Sequence, residues 1–167
     1  MKVHKFEKIW MSIGTGSLIL FLVILGVSAV HAGHTPAASG IETIHPDYVR
    51  DDNRFSEPGL YESSEEGYDY DLYYVASAFR YEPAEVEVPQ GSRVRMQVVT
   101  TDVVHGFQVV NTNINMMVEP GLVSTYGTNF NTVGEYLVIC NEYCGVGHTD
   151  MTSVIKVVPE EGDAEDE

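Results

Sequence analysis

Basic residues are scarce in this chain: 9 lysines and arginines stand against 25 aspartates and glutamates, a formal charge of −16 over 167 residues. Nucleic-acid binding needs a positive footprint to neutralise phosphates, so that class of partner is excluded. Cysteine is nearly missing too. The two that occur, Cys140 and Cys144, share one short stretch, and a disulfide between them would close too small a loop to restrain the unfolded chain. Two thiols brought to one point suit metal ligation better. Tryptophan occurs once, as Trp10. Beyond Tyr68 no segment carries a sustained 3.6-residue apolar period, which excludes a helical bundle there.

What the chain does have begins with residues 9–30, which carry no charge and are long enough to supply the ~20 apolar residues that span a bilayer core. Trp10 is placed as an interfacial anchor, and Lys2, Lys5 and Lys8 predict that residues 1–8 stay in the cytoplasm, with the rest outside. A cleaved leader is the rival reading, since Val30-His31-Ala32 resembles a small-residue cleavage site; the apolar run exceeds the ~7–15 residues of a signal core. Residues 31–67 are rich in Gly, Pro, Ser and acids and read as a linker, with His31, His34 and His45 as solvated linker residues. Residues 68–159 form the one sizeable domain, in a chain whose length suits a single domain of about 100–150 residues. Residues 160–167 are an acidic tail. An acidic excess of this size also fits a surface adapted to high salt, where carboxylate repulsion is screened.

The domain reads as all-β, with candidate strands at residues 68–79, 84–88, 93–100, 106–110, 123–130, 135–140 and 152–158. Within 93–100, Val94, Met96 and Val98 alternate with Arg93, Arg95 and Gln97, as a half-buried strand should. Pro89-Gln90-Gly91, Pro120-Gly121 and Val133-Gly134 supply turns at sandwich-like spacing. Tyr68, Tyr70, Tyr73, Tyr74 and Tyr81 read as strand residues packing one face of the sandwich.

The chemistry concentrates in Cys140-Asn-Glu-Tyr-Cys144-Gly-Val-Gly-His148-Thr-Asp-Met151. Thiolate and thioether favour Cu(I) and imidazole accepts both copper oxidation states, so this set can hold copper through a redox cycle. His105, in Asp102-Val-Val-His105, is a second imidazole at the mouth of an earlier strand. A mononuclear blue-copper site takes two His, one Cys and an axial Met; the additional thiolate here allows two sulfurs to bridge two coppers. Glu142, between the cysteines, offers its backbone carbonyl, and Gly145 and Gly147 let the loop fold tightly. Zinc bound by the two cysteines and two histidines, or a redox disulfide, are the competing readings. Zinc leaves Met151 without a role. Met96, Met116 and Met117 read as packing residues.

HGF followed by CNEYCGVGHTDM, behind one N-terminal apolar segment, resembles cytochrome c oxidase subunit II. YYVASAFRYEPAEVEVPQG, VVHGFQVVNTNIN and PGLVSTYGTNFNTVGEYLVICNEYCGVGH are similar to the single-helix form found in B-type haem-copper oxidases. The resemblance implies a mostly β, cupredoxin-like Greek-key sandwich behind one transmembrane helix. It implies a dinuclear CuA centre held by His105, Cys140, the Glu142 carbonyl, Cys144, His148 and Met151. It further implies electrons accepted outside the cell membrane from cytochrome c or a small blue-copper protein and passed to haem in subunit I, where oxygen is reduced to water. The haems belong to that partner subunit. Many two-helix relatives have a tryptophan near the copper; here Phe79 occupies the matching aromatic stretch and is expected to pack beside the site, where electrons come in. The chain shows no catalytic acid, base or nucleophile set of its own. A membrane-anchored copper chaperone and a fragment related to nitrous oxide reductase are the alternatives. The former needs an exchangeable site, and the latter adds a propeller for which this length has no room.

Overall fold

The computed structural model describes residues 4–31 and 42–159, in two units that divide after Ile41. The first holds one helix, α1 (Lys5–His31). Its stretch Lys5–Val27 is long and apolar enough to cross a membrane, and a helix suits that setting because it satisfies all its backbone groups internally. Residues 1–3 of the expected cytoplasmic segment, residues 32–41 of the expected linker, with His34, and the acidic tail at 160–167 lie outside the described residues.

The second unit is a β-sandwich. Its strands are β1 (Leu60–Glu62), β2 (Tyr70–Ser77), β3 (Arg80–Glu82), β4 (Glu85–Pro89), β5 (Arg93–Thr100), β6 (His105–Val109), β7 (Asn115–Val118), β8 (Ser124–Asn129), β9 (Gly134–Ile139) and β10 (Thr152–Val158). One sheet runs β1-β2-β5-β8 with β3 hydrogen-bonded to β2; the other runs β4-β10-β9-β6-β7. β2 with β5 and β4 with β10 are parallel, and the remaining pairs are antiparallel. This is the cupredoxin-like Greek-key sandwich that the resemblance implied. Alternation builds its core: Leu72, Tyr74 and Ala76 of β2 and Val94, Met96 and Val98 of β5 meet Phe107, Val109, Val138, Ile155 and Val157 of the other sheet. The tyrosines do not share one face. Tyr74 and Tyr81 are core, while Tyr73 packs into a second cluster on the opposite side of β2.

That second cluster corrects the linker expectation. Residues 42–62 are folded onto the sandwich. Thr43 bridges to Leu122, a 3-10 turn spans Pro46–Asp51, and α2 (Asn53–Ser56) follows. The turn is capped by the His45 ring, which accepts from the Asp47 amide, and α2 by the Asp52 carboxylate, which accepts from the Arg54 amide. Val49 and Phe55 thereby bury against Val75, Val99 and Val123. Apolar residues spread along an irregular segment leave no period to read. The covered face also explains why Gln97, expected on a solvated face, is only 5 % exposed. β1, β3 and β7 were not anticipated, because strands of three or four residues are too short to show alternation.

Phe55→Ala should destabilise the folded unit by about 3 kcal/mol, the usual cost of emptying a buried aromatic site. Tyr48→Ala, at an exposed position, should stay within about 0.5 kcal/mol; denaturant titration of the two variants provides the comparison. The Arg54 guanidinium, hydrogen-bonded to Asp52, holds that carboxyl below its usual value. A depressed folded-state pKa adds stability above the ordinary carboxylate range that is lost as pH falls through the depressed value. Asp52→Asn should therefore flatten the acid limb of a stability-against-pH curve and leave its slope near neutrality unchanged.

Candidate metal centre

Four pieces of chain meet at one end of the sandwich. β6 starts on His105, which is fully buried; β9 ends just before Cys140; the loop from Cys140 returns to β10 through a 3-10 turn at His148–Asp150; and the β2–β3 hairpin carries Phe79. The Cys140 amide donates to the Met151 carbonyl at 3.2 Å, closing the loop at its base. Within it, the Cys140 and Cys144 sulfurs are 3.8 Å apart, and the Cys140 sulfur is 3.1 Å from the Glu142 carbonyl oxygen. Cys144 Sγ lies 3.7 Å from His148 Nδ1 and 3.7 Å from Met151 Sδ. A ring nitrogen of His105 falls within 4.8 Å of both sulfurs. All six residues expected as ligands thus sit in one cluster.

His105 supplies the most direct sign of a missing partner. Its Nε2 is 2.8 Å from Asp102 Oδ1, whereas its buried Nδ1 has no hydrogen-bond partner. Buried polar atoms are nearly always satisfied, so an unpartnered Nδ1 on a ring that comes this close to two sulfurs fits a cation there. Asp102 is itself anchored: it accepts from the Val103 and Ala78 amides and from the Thr100 hydroxyl. Burial works against its charge, yet these bonds, His105's first among them, hold its carboxyl below the usual range. Fixing one imidazole nitrogen with a carboxylate sets the tautomer and aims the other at a metal. The Cys144 thiol is pushed up to about 11 by burial and by the adjacent Cys140, so binding a thiophilic cation displaces its proton.

Phe79 packs against Gly145 and Gly147 of the ligand loop. It has φ 76°, an uncommon conformation for a bulky residue, and its ring covers the ligand loop. A Cβ on Gly147 would meet Phe79 Cβ at 2.8 Å, and one on Gly145 would meet the ring at 2.9 Å. The glycines are thus required by close approach, in addition to the positive φ of 134° at Gly145. Tyr143 and Val146 of the same loop face outward, Val146 almost completely. Three residues have contacts at the cluster that the sequence does not foretell. Asp102 had a signal, a carboxylate three residues before a histidine; Gly106, pressed against Asn141, and Tyr81 had none that stands out from packing.

Residues 77–158 match the family profile described as cytochrome c oxidase subunit II, periplasmic domain. Over 161 residues the chain is 37% identical to a cytochrome c oxidase subunit 2 of Thermus thermophilus, covering 93% of this chain and 96% of that protein. The chain belongs to the cytochrome c oxidase subunit II family. A second Thermus thermophilus subunit 2 is 40% identical over 129 residues, with 77% of this chain and 96% of that protein covered. Among solved structures, a chain of a heme-copper terminal oxidase dimer superposes with a TM-score of 0.66 at 28% identity, covering 92% of this chain and 100% of that one. The periplasmic domain of subunit II from Bradyrhizobium japonicum superposes at 0.53 with 20% identity, covering 57% and 88%, a likeness of fold.

In this subunit II chain, Gly106 has no space for a side chain: a Cβ would run into Asn141 Oδ1 and come within 2.8 Å of the Asn141 and Glu142 backbone nitrogens. Backbone atoms cannot step aside as a side chain does. Gly106→Ala should lower stability by about 1–3 kcal/mol and displace the ligand loop, visible as shifted amide resonances confined to the loop and the start of β6. Gly91→Ala, which meets nothing within 4 Å but has φ 82°, should lower stability and leave the loop resonances in place.

Proposed function

We propose that this chain is the electron-accepting subunit of a haem-copper terminal oxidase and that its centre is a dinuclear copper site. Both sulfurs, of Cys140 and Cys144, would hold the two ions, His105 and His148 would bind one each, and Met151 and the Glu142 carbonyl would complete the set. Copper bound this way supplies a reversible one-electron carrier in which neither ion changes its bonding much. The observation that carries the reading is the unpartnered Nδ1 of buried His105, on a ring that reaches within 4.8 Å of both sulfurs. Family membership supports copper as the metal, and the Met151 sulfur at 3.7 Å from Cys144 favours it over zinc, since thioether is a copper ligand. Burial of His105, Cys140 and Met151 disfavours an exchangeable chaperone site.

The protein's own residues do the rest. Asp102 orients His105, the Cys140–Met151 backbone bond keeps the loop closed, and Phe79 packs against Gly145 and Gly147. Exposed Tyr143 and Val146 present an apolar contact for the donor, a cytochrome c or small blue-copper protein. Electrons then pass to haem in subunit I, where the oxygen chemistry resides; this chain carries and does not catalyse. We assign α1 as the cell-membrane anchor, with residues 1–8 cytoplasmic and the domain of residues 68–159 outside, from the lysines that precede the span.

Loading the full chain in detergent with copper tests the centre. Two coppers per chain sharing one unpaired electron are expected in the hyperfine pattern, and Cys144→Ser should abolish that pattern. A single copper per chain, or a serine variant with the wild-type spectrum, would reject the dinuclear assignment.

A further inference from the structure

Tyr81 is almost fully buried at the base of the cluster. Its ring packs edge-to-face on Phe107 at 5.4 Å and on Tyr74 at 6.3 Å, contacts that phenylalanine would make equally well. The hydroxyl is what sets it apart: it donates to the carbonyl oxygen of Gly106, the residue after His105.

Strand pairing explains why that carbonyl needs a donor. β6 pairs with β7 from His105 onward, but with β9 only at Gln108↔Ile139 and Val109↔Val138. Past Ile139 the chain leaves the ladder to form the ligand loop, so the first residues of β6 have a strand on one side alone. A buried carbonyl without a partner is costly, and the Tyr81 hydroxyl, from the three-residue strand β3, stands where a ladder amide would have been. The same phenol lies against the ligand side chains: burial first, and then the Cys140 thiol beside it, push its pKa far above the usual tyrosine value.

We propose that Tyr81 is a positioning residue of the metal centre, its hydroxyl fixing Gly106, and with it His105, relative to the Cys140 sulfur. The inference rests on the copper reading above. Tyr74 provides the built-in comparison. It is as deeply buried, and its hydroxyl is bonded at 3.0 Å to the Ser153 hydroxyl, which donates in turn to the Pro83 carbonyl, so the bond ends on no candidate ligand. Losing that bond should weaken the fold and leave the centre alone.

The experiment uses copper-loaded full chain in detergent and reads three things: thermal melting, the visible copper spectrum, and the rate of copper loss to a Cu(I) chelator. Tyr81→Phe should shift the spectrum and speed copper loss about three- to tenfold, the factor that one neutral hydrogen bond sets. Tyr74→Phe should lower the melting temperature with spectrum and rate unchanged. A Tyr81→Phe chain that melts lower but keeps the wild-type spectrum and rate overturns the proposal. Should Tyr81→Phe fail to fold, Tyr81→3-fluorotyrosine retains the ring and makes the hydroxyl a stronger donor. Slower copper loss is then expected, and an unchanged rate overturns the proposal. Wild-type chain that takes up no copper overturns the copper reading itself, an outcome distinct from wild type and variant behaving alike.

Discussion

One backbone hydrogen bond, from the Cys140 amide to the Met151 carbonyl, closes the loop that carries every candidate ligand but His105. It is the last rung of the β9–β10 ladder, and everything between its two ends must loop out and return. Because both ends are buried core residues, the loop cannot open by fraying, as a surface loop would. Cys144 and His148 then have little choice of place: the 3-10 turn returns the chain over Cys140, bringing a second sulfur and an imidazole to the first. His105 alone comes from another strand, so its position depends on how β6 is held. Asp102 holds its ring, and the Tyr81 hydroxyl holds the carbonyl of the next residue, Gly106.

The sandwich beneath is insulated on both faces of its first sheet. The inner face of β2 and β5 makes the main core, and the segment carrying Val49 and Phe55 covers the outer face near Val75 and Val99. That segment is tied into the hairpin beside the centre. Arg50 bonds both the Phe55 carbonyl and the Glu82 carboxylate, and Glu82 follows Tyr81 directly. The hairpin that bears Phe79 and Tyr81 is thus held from outside by an ion pair and from inside by aromatic packing. A non-glycine residue at positive φ survives only where its surroundings over-determine it, and Phe79 sits between those two restraints.

What was legible in the sequence follows from the range over which each signal acts. Residues 93–100 and 152–158 coincide with β5 and β10 because uninterrupted alternation is a local pattern. The ligand loop was legible for a similar reason, since two thiols, an imidazole and a thioether lie within one stretch of chain. His105 is remote in sequence and rested on resemblance to the family. Asp102 was in view as a letter, but a carboxylate three residues before a histidine matters only if the chain turns back at Val103, which no propensity dictates. The outer cover at residues 42–62 was misread because burial there comes from a few apolar side chains on irregular backbone. Tyr81 looks like any strand tyrosine; its distinction lies in where the β6–β9 pairing stops, in the facing sheet.

Every lysine and arginine of the second unit is paired: Arg50 and Arg80 with Glu82, Arg54 with Glu42 and Asp52, Arg93 with Asp69, Arg95 with Asp71 and Glu65, and Lys156 with Glu85. Such pairs, mostly solvent-exposed, add little stability. Their effect is on the field. Arg50 and Arg80 share the one carboxylate of Glu82, Arg54 and Arg95 each meet two, and the unit as a whole keeps a large excess of carboxylates; the end that holds the candidate centre exposes Phe79, Tyr143 and Val146. A net negative charge of this size slows the approach of other acidic proteins and favours encounter with basic ones, an effect that salt screens, whereas contact between apolar side chains is not screened.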